Sequence, residues 1–188
     1  NMLEPGEARG TALAKILFGF AEPTGRLPWT IPLTTGSLPV HYNQHAFDTF
    51  RQYALRPQKY AYPFGFGLSY TTFDLGSPTT TCRSIKAGED ISVSAMVKNT
   101  GSRKGTTVIQ AYLNDPVCTV MRPAQWLAGF SKVCLEPGEE KKVTIEIKSD
   151  SMAFINADCT SIIEPGEWKI GIGLSSESIV WTSVELKD

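Results

Sequence analysis

Beyond residue 73 apolar side chains recur with a period of two, the period of a strand that turns one face inward and one face outward. Ile91, Val93, Ala95 and Val97 alternate with Ser92, Ser94, Met96 and Lys98, and Asn99-Thr100-Gly101 then turns the chain. Residues 108–113 and 126–135 predict two further strands, and Val143, Ile145 and Ile147 alternate with Lys142, Thr144, Glu146 and Lys148. Residues 152–156, 162–163, 168–174 and 179–186 complete the series. Strands of this length with frequent turns predict an antiparallel β-sandwich in which each sheet buries one face.

The first sixty residues lack this alternation. Thr11 is placed to cap a short helix running through Phe18, with Leu13, Ile16 and Leu17 on one face and Gly19 as its stop. Two turns of helix cannot stand alone in water. No strand pattern within residues 1–60 offers a sheet beneath it, so its covering layer is expected from other polypeptide. Residues 25–32 read as extended, because Pro28 and Pro32 forbid a helix and push their predecessors to extended angles. Residues 33–57 continue irregularly, with Tyr42, Phe47, Phe50 and Tyr53 as expected anchors.

Between these parts lies Tyr62-Pro63-Phe64-Gly65-Phe66-Gly67-Leu68-Ser69-Tyr70-Thr71-Thr72-Phe73. It is too irregular for a helix and too aromatic for a solvated tether, so it is expected as a buried connector. The chain therefore divides into a partial α/β segment over 1–45, an extended aromatic linker over 46–75 and a mainly β sandwich over 76–188. Glu-Pro-Gly-Glu occurs at 4–7, 136–139 and 164–167, too irregularly spaced to be a structural repeat. Proline followed by glycine predicts a type II turn at each.

Composition narrows the function. The 188 residues exceed the roughly 100 of one sandwich. With 41% hydrophobic and 20% charged residues the chain is globular. A formal charge of −1 and a pI near 6.2 leave no footprint for nucleic acid or an anionic membrane. No apolar run reaches the roughly 20 residues of a membrane span, and Asn1-Met2-Leu3-Glu4 does not open a signal peptide; compartment stays open. Cys82, Cys118, Cys134 and Cys159 are scattered without a C-x-x-C pair, against zinc or dithiol chemistry. Their even number permits two disulfides, although nothing else signals a secreted cysteine framework. The absence of an Asn-x-Ser/Thr acceptor argues slightly against a glycosylated secreted protein.

Candidate chemistry is thin. The paired carboxylates of Glu-Pro-Gly-Glu lie on solvated turns, whereas glycosidic acid/base work needs two carboxyls across one cleft, one in an apolar site. His41 and His45 have a helical ligand spacing but follow Pro39 in an irregular stretch. No Gly-x-Ser-x-Gly elbow occurs, and Phe64-Gly65-Phe66-Gly67 lacks the lysine of a phosphate loop, so its glycines predict a tight backbone crossing. Trp29, Trp126, Trp168 and Trp181 could stack on sugar rings; the strand patterns put Trp168 and Trp181 in the core. Arg51 among Phe47, Phe50 and Tyr53 reads as a structural cation on an aromatic surface.

The wording and order of several blocks resemble glycoside hydrolase family 3. Residues 5–14, Leu17-Phe18-Gly19, Pro23-Thr24-Gly25-Arg26-Leu27-Pro28, Leu38-Pro39 and Tyr42-Asn43 resemble the end of its α/β sandwich domain. Phe50-Arg51-Gln52-Tyr53 and the 62–73 block resemble its junction. Asn99-Thr100-Gly101, Gly105, Gln110-Ala111-Tyr112-Leu113, Arg122-Pro123, Leu127-Ala128-Gly129-Phe130 and the later two Glu-Pro-Gly-Glu turns resemble its C-terminal fibronectin type III-like domain. The resemblance implies retaining hydrolysis of terminal β-glucosides, β-xylosides or related sugars. It also implies an Asp nucleophile from a (β/α)₈ barrel and, in many members, a Glu acid/base from the α/β sandwich domain. Neither segment is here, so no catalytic, cofactor-binding or metal-ligating residue and no cofactor is expected in this chain. Its expected partners are the barrel and the rest of the α/β sandwich domain, with the glycoside bound through them, and neither nucleic acid nor membrane. It reads as a separate piece or as the front of a permuted arrangement. Two other classes stay open: a free-standing polysaccharide-binding or adhesion module using exposed tryptophans, Trp126 foremost, and a plain spacer.

Overall fold

The computed structural model describes residues 6–45 and 60–187. They form thirteen strands, one α-helix and two single-turn 3-10 helices, joined by loops. The helix α1 (Arg9–Leu17) comes first, followed by a ribbon of β1 (Ile31–Pro32) against β2 (Tyr60–Tyr62). The sandwich then uses β3 (Phe73–Leu75), β4 (Thr79–Thr80), β5 (Ser84–Lys86), β6 (Ile91–Asn99), β7 (Gly105–Asn114), β8 (Trp126–Leu135), β9 (Glu140–Ile147), β12 (Gly166–Gly173) and β13 (Ile179–Lys187). Between β9 and β12 a small hairpin joins β10 (Phe154–Ile155) to β11 (Ser161–Ile162).

One sheet has the order β5-β13-β12-β7-β8, antiparallel throughout apart from the parallel β13–β5 pair. The facing sheet is centred on β6, which pairs β9 along one edge and shares its other edge between β3 and β4. The alternation of β6 and β9 drives this stacking: Ile91, Val93, Ala95, Val97, Val143, Ile145 and Ile147 are all buried. They meet Ile109, Ala111 and Leu113 of β7, Val133 and Leu135 of β8, and Trp168, Ile170 and Ile172 of β12. Each Val, Leu or Ile among them contributes about 1.5–3 kcal/mol when fully buried.

The sequence expectation of a mainly β, fibronectin type III-like sandwich holds. The Glu136-Pro137-Gly138-Glu139 turn carries the chain from β8 in one sheet to β9 in the other, with Gly138 at φ +76° and a 3.0 Å bond from Glu139 N to Glu136 O. The copy at 164–167 differs. Gly166 sits at φ +144° and already opens β12, and no bond closes a turn from Glu164 to Glu167 among the described residues. In the first copy Glu4 and Pro5 lie outside the described residues.

Two further expectations need correction. Thr11 lies inside α1 rather than capping it; Ala8 occupies the cap position and offers no side-chain bond. The 62–73 connector is not buried throughout. Phe64, Phe66 and Phe73 are half-buried, but Tyr62, Leu68 and Tyr70 are exposed, because this segment covers the sandwich with one side only. The anchors Phe47, Phe50 and Tyr53, the Phe50-Arg51-Gln52-Tyr53 segment and the Arg51 cation lie outside the described residues. All four cysteines are free thiols.

Candidate functional site

The residues that join the two parts form the most organised polar region of the chain. Its centre is Asn99, the last residue of β6 and fully buried. Its Nδ2 donates to the carbonyls of Arg103 (2.8 Å) and Leu135 (3.1 Å), and its Oδ1 accepts from Thr71 Oγ1 (2.6 Å) and Gly101 N (3.1 Å). Both amide hydrogens and both oxygen lone pairs are thus used, which is what makes a buried amide tolerable. The Asn99-Thr100-Gly101 turn therefore does more than reverse the chain. It ties the connector, at Thr71, to two sheets.

A second buried amide works on the outer face of β7. Gln110 Nε2 donates to Gly65 O (3.1 Å) and Leu174 O (2.9 Å), and Tyr112 Oη donates to Gln110 Oε1 at 2.5 Å. Burial, with a smaller effect of Tyr42, pushes the Tyr112 phenol well above its ordinary value, so it stays a donor. Gly65 has φ +77°, and a Cβ there would lie 2.0 Å from Gln110 Oε1, so only glycine fits. Tyr42 completes the layer, stacked on Phe64 at 4.0 Å and edge-on to Tyr112 at 6.3 Å.

Charged groups of the first part complete the attachment. The Glu22 carboxylate accepts from Ser69 Oγ and from Thr106 N (2.7 Å). Arg26 Nη2 donates to Thr107 Oγ1 at 2.9 Å; burial lowers its pKa while Glu22 acts in the opposite direction. Arg103 reaches back from the sandwich, donating to Gly19 O (2.9 Å) and covering the Tyr70 ring at 5.4 Å, and Tyr70 Oη donates to Ile16 O. Near the mouth of β8, Gln44 O accepts from Ala124 N (2.8 Å) and His45 bridges Pro123.

Pro123 follows a second cluster. Arg122 pairs with Asp115 at 2.9 Å, their side chains 8% and 3% exposed. The guanidinium also faces Trp126 (4.3 Å), Phe154 (4.9 Å) and Trp168 (5.0 Å). Burial raises the Asp115 pKa, and the hydrogen bond and charge of Arg122 oppose it. Trp126 Nε1 donates to Ser151 O and its ring meets Trp168 edge-on, so it is no free platform for sugar.

Among the described residues the candidate carboxylates are held in turn and surface contacts. Glu136 is exposed and pairs with Lys104; Glu139 accepts from Glu136 N at 2.7 Å; Glu164 is held by Thr119. His41 and His45 are not joined by other ligands, and among the described residues no group of three His, Cys, Asp or Glu side chains could hold a metal. Trp168 is core as expected, but Trp181 is 36% exposed on the outer face of β13, which corrects its placement in the interior. Sequence reasoning missed Asn99, Gln110, Glu22 and Arg122 as ties. The glycine at 65 was the one local signal of a close approach.

Residues 1–70 match the glycosyl hydrolase family 3 C-terminal domain, and residues 107–176 match the fibronectin type III-like domain. A periplasmic beta-glucosidase of Salmonella typhimurium is 37% identical over 96% of this chain and 25% of its own length. A putative beta-xylosidase of Formosa agariphila is 36% identical over 93% of this chain and 23% of its own. Among solved structures, a beta-glucosidase from Erythrobacter marinus superimposes with TM-score 0.91 at 40% identity, covering 95% of this chain and 24% of that one. A beta-glucosidase from Listeria innocua in complex with glucose gives 0.88 at 34%, covering 98% and 27%. This chain spans about a quarter of the length of such relatives. With the Gln110–Gly65 bond joining the two matched regions, the chain belongs to glycosyl hydrolase family 3, of which it carries the end of the C-terminal α/β domain and the fibronectin type III-like sandwich.

Proposed function

We propose that this chain is the supporting C-terminal part of a retaining β-glycosidase that hydrolyses terminal non-reducing β-linked sugars, β-glucosides foremost and β-xylosides second. Its role is to clamp the sandwich onto the catalytic body and hold that body's geometry, while the nucleophile and the acid/base come from polypeptide outside these 188 residues. The observation that carries this reading is the one-sided packing of the first part. Residues 60–73 and Tyr42 grip the sandwich through Gln110, Tyr112 and Asn99, yet Leu17, Phe18 and Phe20 are 68%, 77% and 84% exposed. An amphipathic helix with no buried residue and an apolar side in water fits a missing layer of the same domain. The linker of 46–75 then belongs to the clamp, its last three residues entering the sandwich as β3, and the rest of the sandwich follows from 76. No catalytic, cofactor or metal-binding role is assigned to any residue of the chain.

The test is a deletion of residues 76–188 from the longer polypeptide that carries this chain, followed by thermal melting and hydrolysis of an aryl β-glucoside. Support predicts a lower melting temperature, with activity lost at temperatures where the intact enzyme still turns over. A deletion that keeps full stability and full activity defeats the proposal.

A further inference from the structure

Trp181 takes no part in the junction, and its surroundings are those of a small binding site. It stands on β13 opposite Gly171 of β12, and a Cβ on Gly171 would come within 2.7 Å of Trp181 Cε3 and 2.9 Å of Cδ2. The missing side chain lets the six-membered ring of the indole lie down over the sheet, where the side chain is still 36% exposed. Beside it is a depression of about 350 Å³ lined by Asn114, Gln125, Lys169, Trp181, Thr182 and Ser183, within the range of about 300–1,000 Å³ typical of ligand sites.

The polar groups around the ring are already oriented. Asn114 Nδ2 donates to Ala124 O (2.7 Å) and Gln125 Nε2 donates to Ser176 O (2.9 Å), which leaves their side-chain oxygens as acceptors. Ser183 Oγ donates to Glu167 Oε1 (2.6 Å) and keeps its lone pairs. Lys169 is exposed and forms no ion pair among the described residues. An aromatic plate beside fixed acceptors and a free ammonium suits a ligand with an apolar C–H face and a rim of hydroxyls. A nucleotide base would stack as well, but the net charge of −1 and the single cation offer nothing for its phosphates.

We propose that this depression binds a pyranose unit of a β-linked oligosaccharide, the C–H face of the sugar on Trp181 and its hydroxyls on Asn114, Gln125, Lys169 and Ser183. The β-linked ligand class rests on the glycosidase reading above; the site itself rests on the geometry of the sheet. Because the amides and the indole are held before any ligand arrives, little ordering cost is added on binding.

The experiment is titration of the 188-residue chain with cellotetraose, xylotetraose and maltotetraose by calorimetry and tryptophan fluorescence. Titration to about 10 mM fills about nine-tenths of a site as weak as about 1 mM. The expected result is saturable binding of a β-linked tetraose with quenched indole emission. Trp181→Ala should weaken it at least about tenfold, the scale of truncating a central aromatic anchor. Lys169→Met and Ser183→Ala, both at exposed rim positions, should each weaken it about threefold while the melting temperature holds. They keep the question answerable if Trp181→Ala fails to fold. No binding by the folded chain, binding indifferent to Trp181 and the rim, or equal affinity for α-linked maltotetraose would overturn the proposal. Hydrolysis by the longer polypeptide is a separate readout. If that fails while the chain still binds cellotetraose, the glycosidase reading falls and the site survives.

Discussion

The two halves of this chain are held together by opposite means. The sandwich closes an apolar interior from both sheets, with Val93, Val97, Ile109, Leu113, Leu135, Ile147, Ile170 and Ile172 fully out of water. In residues 6–45, by contrast, Thr30 alone is buried among the described residues, and no apolar side chain reaches an interior. What fixes this part is a set of directional bonds: Glu22 to Thr106 N, Arg26 to Thr107, Arg103 to Gly19 O and Tyr70 to Ile16 O. Burial of apolar area is nondirectional and makes a stable body, whereas net hydrogen-bond gains are near 1 kcal/mol each and mainly set position. The sandwich therefore reads as the stable unit and the first part as a positioned unit.

The sharpest way to test that contrast is to damage the sandwich where it has no slack. Arg122→Ala leaves the Asp115 carboxylate buried without its partner and removes a cation from three rings, so a loss of about 3–5 kcal/mol is expected in urea unfolding. Leu135→Ala should cost about 2–5 kcal/mol by opening a cavity between the sheets. An intermediate effect is expected at the join, where Asn99→Ala strands the Thr71 hydroxyl and the Leu135 carbonyl and should cost about 1–3 kcal/mol. Limited proteolysis should then cut the first part away sooner than the sandwich unfolds; simultaneous loss of both would erase the distinction.

Tyr112 gives a pH handle on the same join. Its folded phenol is raised above the ordinary value of 10.0 by burial, so the unfolded chain ionises first as pH climbs. The stability it contributes is complete below pH 10.0 and declines above it by up to about 1.4 kcal/mol per pH unit. Tyr112→Phe should flatten that alkaline decline in stability measured against pH. The smallest effect belongs to the first part. Leu17→Ala should change the stability of the 188-residue chain by no more than about 0.5 kcal/mol, because that side chain is 68% exposed. A large loss from Leu17→Ala would mean that α1 has an interior of its own.

These differences also decide what could be read from sequence. Strands β6, β8, β9, β12 and β13 were legible because long runs of alternation have one physical explanation, a half-buried strand. β3, β4 and β5 were not, since two or three residues cannot show a period and their pairing depends on distant partners. Trp181 was misplaced although the parity was available: Val184 and Leu186 point inward, so an odd-numbered neighbour on the same strand points outward. At the join, Asn99 and Gln110 looked like a turn residue and a polar strand residue. Their partners are the carbonyls of Leu135, Gly65 and Leu174, far away in sequence and carrying no side-chain signature. The helix start failed differently: Thr11 had the right chemistry for a cap, and the chain simply began its helix three residues earlier.

Gly65 and Gly67 have a mechanical consequence. Neither glycine projects a side chain, and the walls they face are the Gln110 amide at Gly65 and the Arg26 side chain with the Gly25 carbonyl at Gly67. A contact padded by long side chains can creep under load as rotamers change one at a time. Here the two long side chains are themselves pinned, Gln110 to the Gly65 and Leu174 carbonyls and Arg26 to Thr107 Oγ1, so a force drawing the first part off the sandwich meets little give and then a single rupture: a brittle fastening, suited to transmitting displacement without absorbing it.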